Sequence, residues 1–266
     1  MFNRRIIIGG LPRSGSTLFR FMLDSSSTIL SGPETGFFQE PLSQLQARAD
    51  RVAGRVAEKL ELPEPVINEA IHSSQSLFQA FDAIMSAYAQ SIGVNKTAWA
   101  EKTPRNCFAY PFLAAENPET NFISTIRHGL DVVTSIVDSS ERKAGEYWVS
   151  IQRYRDCMRA IYSFKHPRHL IIRYEDLVAE PEQTLRRMMS FVDLPYEPAM
   201  IRDFNHPTSS RDLTKVTQPK LREPIQTSWI DRWNTPEHAA RMKEFMADAD
   251  AVMWLKHSGY AADSAG

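Results

Sequence analysis

Short apolar runs alternate along this chain with longer segments in which apolar residues recur at helical spacing. The apolar runs predict strands at 5–9, 121–127 and 169–174, with a shorter candidate at 97–101. The helical spacing predicts helices at 16–23, 42–60, 77–92, 105–114, 131–139, 146–164, 183–192 and 236–256. Strands that alternate with helices predict an α/β fold in three layers, with a central parallel sheet flanked by helices.

Residues 36–95 are nearly all helical and separate the first predicted strand from the next. We therefore expect one domain over residues 1–266, with a mostly helical insertion or cap at about 36–95. The aromatic residues of this insertion either pack in the core, which their helical spacing favours, or line an apolar pocket: Phe37, Phe38, Phe78, Phe81 and Tyr88. Residues 204–224 are polar and lack periodicity, and loops of that length are usually functional or mobile.

The composition argues against several classes of function. The chain has 266 residues, of which 42% are hydrophobic, and a net charge of −1, so no global field favours nucleic acid or a membrane surface. No apolar run approaches the ~20 residues of a membrane span, and no signal-peptide core is visible, which predicts a cytoplasmic protein. Cys107 and Cys157 are expected to be free core thiols. The seven histidines show no metal-ligand spacing, so no metal site is predicted.

The first strand runs into a loop with the spacing of a phosphate-binding P-loop. Gly10 is followed by four residues, Gly15 and a hydroxyl at Thr17, but Ser16 takes the place of the lysine and the cation, Arg13, lies inside the loop. Backbone amides ahead of a helix bind anions, so a P-loop-like fold with an anionic ligand other than a nucleoside triphosphate is expected. The residues expected to hold it are Pro12, Arg13, Ser14, Gly15, Ser16 and Thr17.

Other polar residues stand at the ends of predicted strands, where ligands of open parallel sheets bind. Arg127 ends one strand and Ser135 follows within the next helix, which suits a second phosphate; the alternative is an arginine capped by Asp131 in a surface turn. Tyr174 ends another strand and either faces a ligand or is simply half-buried.

Glu34 follows a turn, and Lys102 precedes a proline that stops the segment. Taken singly, each is more often a solvated surface charge. Neither residue alone indicates a function.

Together these motifs resemble the sulfotransferases that use 3′-phosphoadenosine 5′-phosphosulfate (PAPS). The stretch from Pro12 to Leu18 is similar to their 5′-phosphosulfate loop, and Arg127 with Ser135 is similar to their 3′-phosphate motif. The block 173–177 is similar to one whose tyrosine lines the nucleotide site. The likeness spans about 6–260 and is strongest to tyrosylprotein sulfotransferases and their bacterial relatives.

The resemblance implies in-line transfer of a sulfuryl group to an acceptor hydroxyl. Glu34 would be the catalytic base, and Arg13 and Lys102 would be cations against the sulfuryl group and the bridging oxygen. Thr217 falls where the family has a transition-state serine, and Arg232 where it has a nucleotide-binding lysine. No metal is required if these cations and the loop amides supply the charge. The product nucleotide would be 3′-phosphoadenosine 5′-phosphate (PAP).

The chain departs from that branch near the acceptor. The family's basic residues after the catalytic glutamate correspond to Gly36 and Glu40, which favours a small molecule, a glycan or a lipid over an acidic protein tyrosine. The disulfide of secretory members would fall at Ser31 and Ala100, and it is therefore absent. A hydroxyl-bearing acceptor is the expected partner, without nucleic acid or a membrane span, and a homodimer stays open.

Two functions from other classes also stay open. A P-loop kinase or NTPase fits the strand, loop and helix at the start of the chain, but Ser16 in place of lysine argues against it. A non-catalytic nucleotide-binding or scaffold protein is the other, and the co-occurrence of Glu34, Lys102 and Arg13 argues against that. Magnesium-dependent ATP turnover and transfer of labelled sulfate separate the three.

Overall fold

Five parallel strands form the central sheet of the computed structural model. They are β1 (Arg4–Gly10), β2 (Ile29–Leu30), β3 (Ala98–Lys102), β4 (Asn121–Ile126) and β5 (His169–Arg173). Their order across the sheet is β2-β3-β1-β4-β5. The predicted α/β fold with a central parallel sheet is confirmed. β2 was not predicted, because two residues are too few to show a pattern.

The structure describes residues 2–136, 146–206 and 224–261. Thr217, with most of the polar segment 204–224, lies outside these residues. Within them, no helix is long and apolar enough to cross a membrane.

The helices are mostly shorter than the periodicity predicts. The predicted helix at 42–60 is two helices, and the one at 236–256 is broken at Asp248, whose side chain accepts a hydrogen bond from the backbone N–H of Ala251. The labelled helices are α1 (Ser16–Asp24), α2 (Leu42–Gln46), α3 (Ala49–Leu60), α4 (Glu64–Ser73), α5 (Leu77–Ser91), α6 (Tyr110–Glu116), α7 (Gly129–Val133), α8 (Ile151–Ser163), α9 (Tyr174–Ala179), α10 (Pro181–Phe191), α11 (Ala199–Arg202), α12 (Ala239–Ala247) and α13 (Ala249–His257).

Alternate side chains of β1 enter different cores, as the two-residue period of a strand requires. Ile7 packs in the cluster that includes the α3–α5 helices and α8, whereas Ile6 and Ile8 pack with α1 and α10. Residues of β4 are buried throughout, which is the pattern of a strand covered on both faces. Both cysteines are buried free thiols, as the sequence predicts.

Helices α2 to α5 lie between β2 and β3 in the chain, and their aromatic residues pack into the core. The ring of Phe81 lies 4.8 Å from that of Trp99 on β3, centroid to centroid. None of the five aromatic residues named above is more than 2% exposed. They are core residues, as their spacing favours. That the whole chain is one domain with an insertion stays a prediction.

Candidate active site

The carboxyl ends of all five strands meet at one edge of the sheet, and each is followed by a candidate residue. The glycine-containing loop follows β1, and Glu34 follows β2. Lys102 ends β3, Arg127 follows β4, and Tyr174 follows β5. Parallel pairing therefore brings to one edge residues that are far apart in the chain.

The loop after β1 is fixed against β4. Gly10 has φ +136°, and a Cβ there would stand 2.2 Å from the carbonyl oxygen of Thr125. The Ser14 hydroxyl donates to the Leu11 carbonyl at 2.6 Å and lies 2.7 Å from the Thr125 hydroxyl. Because the Ser14 side chain anchors the loop, its contribution to an anion site would come from its backbone N–H. The first N–H groups of α1 have no acceptor within the helix.

The ring of Tyr174 packs directly on the loop. A Cβ at Gly15, which has φ +75°, would lie 2.3 Å from Cδ2 of Tyr174. On the same tyrosine, the Arg127 guanidinium lies 4.6 Å from the ring centroid. Burial raises the pKa of the Tyr174 hydroxyl, which therefore stays protonated at neutral pH. The loop, Tyr174 and Arg127 thus form one stack.

We expect Gly15→Ala to destabilise the protein more than Gly93→Ala. Both glycines have positive φ, +75° and +71°, so each alanine costs about 1 kcal/mol of left-handed strain. Only Gly15 also faces a ring, which adds roughly 1–3 kcal/mol of overpacking, whereas a Cβ at Gly93 meets nothing within 4 Å. Urea unfolding of both variants measures the difference. Equal losses of unfolding free energy in the two variants would contradict the packing of Tyr174 on this loop.

Arg127 is partly buried and paired with Asp131. Its Nη2 lies 3.3 Å from the Asp131 carboxylate and also donates to the carbonyl of Trp229, while Nη1 donates to the Arg13 carbonyl at 3.3 Å. The side chains of Arg127 and Asp131 are 13% and 1% exposed. Asp131 does pair with Arg127, as the alternative expects, but the pair lies largely buried and not in a surface turn. The Nε of Arg127 is buried without a partner in the described part of the chain. An orphaned donor on a buried guanidinium fits an anionic ligand.

Asp131 also holds the segment that carries Arg232. Its carboxylate accepts the backbone N–H groups of Asp231 at 3.1 Å and of Trp233 at 3.2 Å. Arg232 itself is exposed, with its guanidinium 4.3 Å from the Trp229 ring centroid. Its backbone is therefore tied to the Arg127 region, although its side chain stays at the surface.

Arg13 contacts the second predicted phosphate motif. Its Nε donates to the Ser135 hydroxyl at 3.0 Å, and its guanidinium lies 5.6 Å from the Trp148 ring centroid. Arg13 has φ +65°, a left-handed conformation that is unusual for a residue other than glycine. The structure thus brings Arg13 and Ser135 together directly.

Glu34 and Lys102 form an ion pair at the same edge. Nζ of Lys102 lies 2.6 Å from Oε2 of Glu34; the lysine side chain is 5% exposed and the glutamate side chain 48%. The turn that leads to Glu34 is held by Arg20 of α1, which donates to the carbonyls of Ser31 and Gly32 at 3.0 and 2.9 Å. A buried cation thus faces a carboxylate that solvent reaches.

A cavity of about 1070 Å³ opens beside Glu34. Part of its wall is apolar, with Phe112 and the 41%-exposed Phe108, and the Arg153 guanidinium lies 4.8 Å from the Phe108 ring centroid. Its cationic lining residues, among those described, are Arg55, Lys59, Arg105, Arg153 and Arg159. The acidic ones are Glu34, Glu40 and Asp156. The cavity can therefore take a ligand with an apolar body and negative charge.

A loop, cations and a carboxylate gathered at the strand ends are typical of an α/β protein that binds its ligand at this edge. The chain belongs to the sulfotransferase family, whose model matches residues 5–198. Family membership confirms the resemblance to sulfotransferases seen in the sequence.

Relatives with curated names are also sulfotransferases. The chain is 27% identical over 245 residues to protein-tyrosine sulfotransferase 1 of Danio rerio, covering 86% of this chain and 65% of the relative. It is 26% identical over 250 residues to the protein-tyrosine sulfotransferase of Drosophila melanogaster, covering 86% and 46%. The chain thus spans about half to two thirds of the length of these relatives.

Two solved structures share the fold. The sulfotransferase domain of a Synechococcus olefin synthase is 20% identical, with a TM-score of 0.70 over 98% of this chain and 96% of that domain. The sulfotransferase domain from the curacin biosynthetic pathway is 19% identical, with a TM-score of 0.64 over 98% and 99%. These likenesses confirm the P-loop-like α/β architecture.

Proposed function

We propose that this enzyme moves a sulfuryl group from PAPS to a hydroxyl of an acceptor bound in the cavity. The observation that carries the proposal is the Glu34–Lys102 ion pair, at the sheet edge that also holds the glycine loop and Arg127. A base, a buried cation and an anion site at one edge are what in-line transfer needs. Membership of the sulfotransferase family supports the same reaction.

In this proposal the donor lies along the strand ends. The 5′-phosphosulfate would bind backbone N–H groups of 14–17 at the start of α1, and Tyr174 would line the nucleotide. Arg127, whose Nε has no partner among the described residues, would bind the 3′-phosphate together with the Ser135 hydroxyl. Arg13 donates to Ser135 in this structure, so its side chain must turn toward the sulfuryl group. Roles for Thr217 and Arg232 at the nucleotide stay predictions.

PAPS supplies the activated sulfuryl group, and the protein supplies charge and a base. Sulfuryl transfer resembles phosphoryl transfer, with a loose in-line transition state and negative charge on the leaving oxygen. Lys102 and Arg13 would stabilise that charge, which favours the transition state over the ground state. Glu34 would take the proton of the acceptor hydroxyl as the S–O bond forms. These groups account for the required charge without a metal.

The cavity is the proposed acceptor site, because Glu34 lies on its wall. The positive charge that Gly36 and Glu40 fail to provide is present on other elements, with Arg105 after β3 and Arg153 on α8. This arrangement supports an acceptor with negative charge near its hydroxyl and weakens the sequence argument against an acidic protein tyrosine. The names of the curated relatives point the same way, toward protein tyrosine.

We expect Arg153→Gln to raise KM for an acidic tyrosine peptide by about fivefold to tenfold, the scale of one partly exposed charge-assisted contact. KM for the same peptide with its acidic residues replaced by serine should change less than twofold. Arg186→Gln is the matched control, because Arg186 pairs with Glu182 on the exposed surface of α10. Equal changes for both peptides would contradict a charged acceptor.

Transfer of ³⁵S from labelled PAPS tests the reaction itself. The acceptors are an acidic tyrosine peptide, its serine-substituted form, p-nitrophenol and a small alcohol, with magnesium ATP turnover measured in parallel. We expect labelled product from at least one hydroxyl acceptor and no ATP turnover. Turnover of ATP without sulfuryl transfer would instead support a kinase or NTPase.

A further inference from the structure

The carboxylate of Glu101 is buried between the two segments that carry the proposed base and cation. Glu101 precedes Lys102 on β3 and is 2% exposed. The residue that it contacts on the other segment, Thr35, directly follows Glu34. Neither the sequence motifs nor the proposed reaction gives Glu101 a role.

Four hydrogen bonds converge on this carboxylate. Oε1 accepts the backbone N–H of Thr35 at 3.2 Å, the Thr35 hydroxyl at 2.9 Å and the Thr103 hydroxyl at 2.8 Å. Oε2 accepts Nδ2 of Asn106 at 2.6 Å. Glu101 is therefore bonded on one side to the neighbour of Glu34 and on the other to the neighbour of Lys102.

The partners of Glu101 make further hydrogen bonds between the same segments. The Thr103 hydroxyl accepts the backbone N–H of Gly36 at 3.1 Å. Asn106 also donates to the Ile8 carbonyl on β1 at 3.1 Å and accepts Nε2 of Gln39 at 2.8 Å. The segment after β2 is thus fastened to β3 and β1 through Glu101 and its partners.

The partners of Glu101 all donate hydrogen bonds to it, while its pKa stays above the ordinary value because burial is the largest effect. Burial raises the pKa of its carboxyl, and the hydrogen bonds from Asn106, Thr103 and Thr35 oppose that rise. All four contacts donate a hydrogen, so the carboxylate uses each as an acceptor. A buried carboxylate is costly unless it is fully hydrogen-bonded, and a neutral amide would place a donor against a donor here.

We propose that Glu101 is a positioning residue that holds Glu34 and Lys102 in register for sulfuryl transfer. The 2.6 Å contact between Lys102 and Glu34 joins two segments that are otherwise 68 residues apart in the chain. Glu101 fixes both segments immediately beside that contact. The inference rests on the proposed function only for what the ion pair does, not for how it is held.

Acylation of Lys102 tests whether Glu101 holds the Glu34–Lys102 pair, and it does not require a catalytic assay. The parent, Glu101→Gln and Thr103→Val are treated with acetyl N-hydroxysuccinimide ester, and the labelling rate of Lys102 is read by mass spectrometry. We expect the rate to rise about fivefold to tenfold in both variants, because a loosened ion pair exposes the lysine, and to rise also in Glu34→Gln. Thr103→Ser, which keeps the hydroxyl, should label as slowly as the parent.

Thr184→Val is the matched control for lost stability. Thr184 is buried on α10, and its hydroxyl donates to the Asp176 carbonyl at 3.1 Å. This variant should lose stability comparably to Thr103→Val and leave Lys102 labelling unchanged. Lys102 labelling equal to the parent in both Glu101→Gln and Thr103→Val would overturn the proposal. Thr103→Val is milder and keeps the test valid if Glu101→Gln does not fold.

Steady-state kinetics test whether the hydrogen bonds of Glu101 and Thr103 matter for sulfuryl transfer. We expect kcat to fall about 10-fold to 100-fold in Glu101→Gln and about 10-fold in Thr103→Val, with KM for PAPS within twofold of the parent. Thr103→Ser should restore kcat. If the variants label as expected but the parent transfers no sulfuryl group, the proposed function is contradicted. The role of Glu101 in holding the ion pair then remains supported. A kcat loss in Thr184→Val equal to that in Thr103→Val would overturn the positioning role.

Discussion

Glu34→Gln is expected to lower kcat for sulfuryl transfer by about 10²–10⁴-fold, the usual contribution of a general base. The amide keeps an oxygen that can accept a hydrogen bond from Lys102, although the ion pair is lost together with the base. Glu34 is half exposed, so the neutral side chain should not disturb the fold. Steady-state rates with ³⁵S-labelled PAPS and the acceptor that the ³⁵S-transfer panel identifies measure kcat.

Glu40→Gln is the control for this substitution. Glu40 lines the same cavity but pairs with Arg48 at 3.2 Å, and the proposal gives it no chemical role. Its kcat should stay within twofold of the parent, and both variants should bind PAP as the parent does. A Glu34→Gln enzyme with near-parent kcat would remove Glu34 from the role of base.

Arg127→Ala is expected to weaken PAP binding by about 2–3 kcal/mol, roughly 30-fold to 150-fold, which is the scale of a buried charge-assisted hydrogen bond. Asp131 loses one partner but keeps the backbone N–H groups of Asp231 and Trp233. The fold should therefore survive the change. Calorimetric titration with PAP measures the affinity, and thermal unfolding shows whether the variant is folded.

Adenosine 5′-phosphate, which lacks the 3′-phosphate, separates a lost ligand contact from a general loss of binding. The parent should prefer PAP over this nucleotide by about the affinity that Arg127→Ala loses. The variant should bind the two nucleotides nearly equally. A parent that binds both with the same affinity would remove the 3′-phosphate assignment of Arg127.

Most of the sheet could be predicted because the longer strands contain short apolar runs bounded by turn residues. The runs for β1, β3, β4 and β5 appear at nearly the predicted residues. Helix α4 has a proline in its first turn and was missed, and the break between α2 and α3 was missed because apolar spacing continues across it. Periodicity reports which face is buried and does not report where the backbone stops being helical.

The candidate residues could be predicted because parallel strands gather their carboxyl ends, but their contacts could not. The Arg127–Asp131 pair was weighed as a surface turn, since its burial depends on Asp231 and Trp233, which are distant in the sequence. The only sequence feature that pointed to Glu101 was its position next to Lys102. Its role depends on Thr35, whose proximity arises from the short, unpredicted β2.

The cationic side of the cavity was missed for a similar reason. Arg105 follows β3 and Arg153 begins α8, and only the packing of these elements brings both toward Glu34. Charge at a pocket built from several elements is a property of the assembled fold.

A crystal structure of the complex with PAP tests the central claim most directly. We expect the 5′-phosphate at the amides of 14–17, within hydrogen-bond distance of about 3.2 Å, and the 3′-phosphate at Arg127 and Ser135. Arg13 should have left Ser135, and the Glu34–Lys102 pair should stand beyond the 5′-phosphate, at the mouth of the cavity. PAP bound elsewhere, or with its 3′-phosphate away from an Arg127 still held by Asp131, would contradict the account.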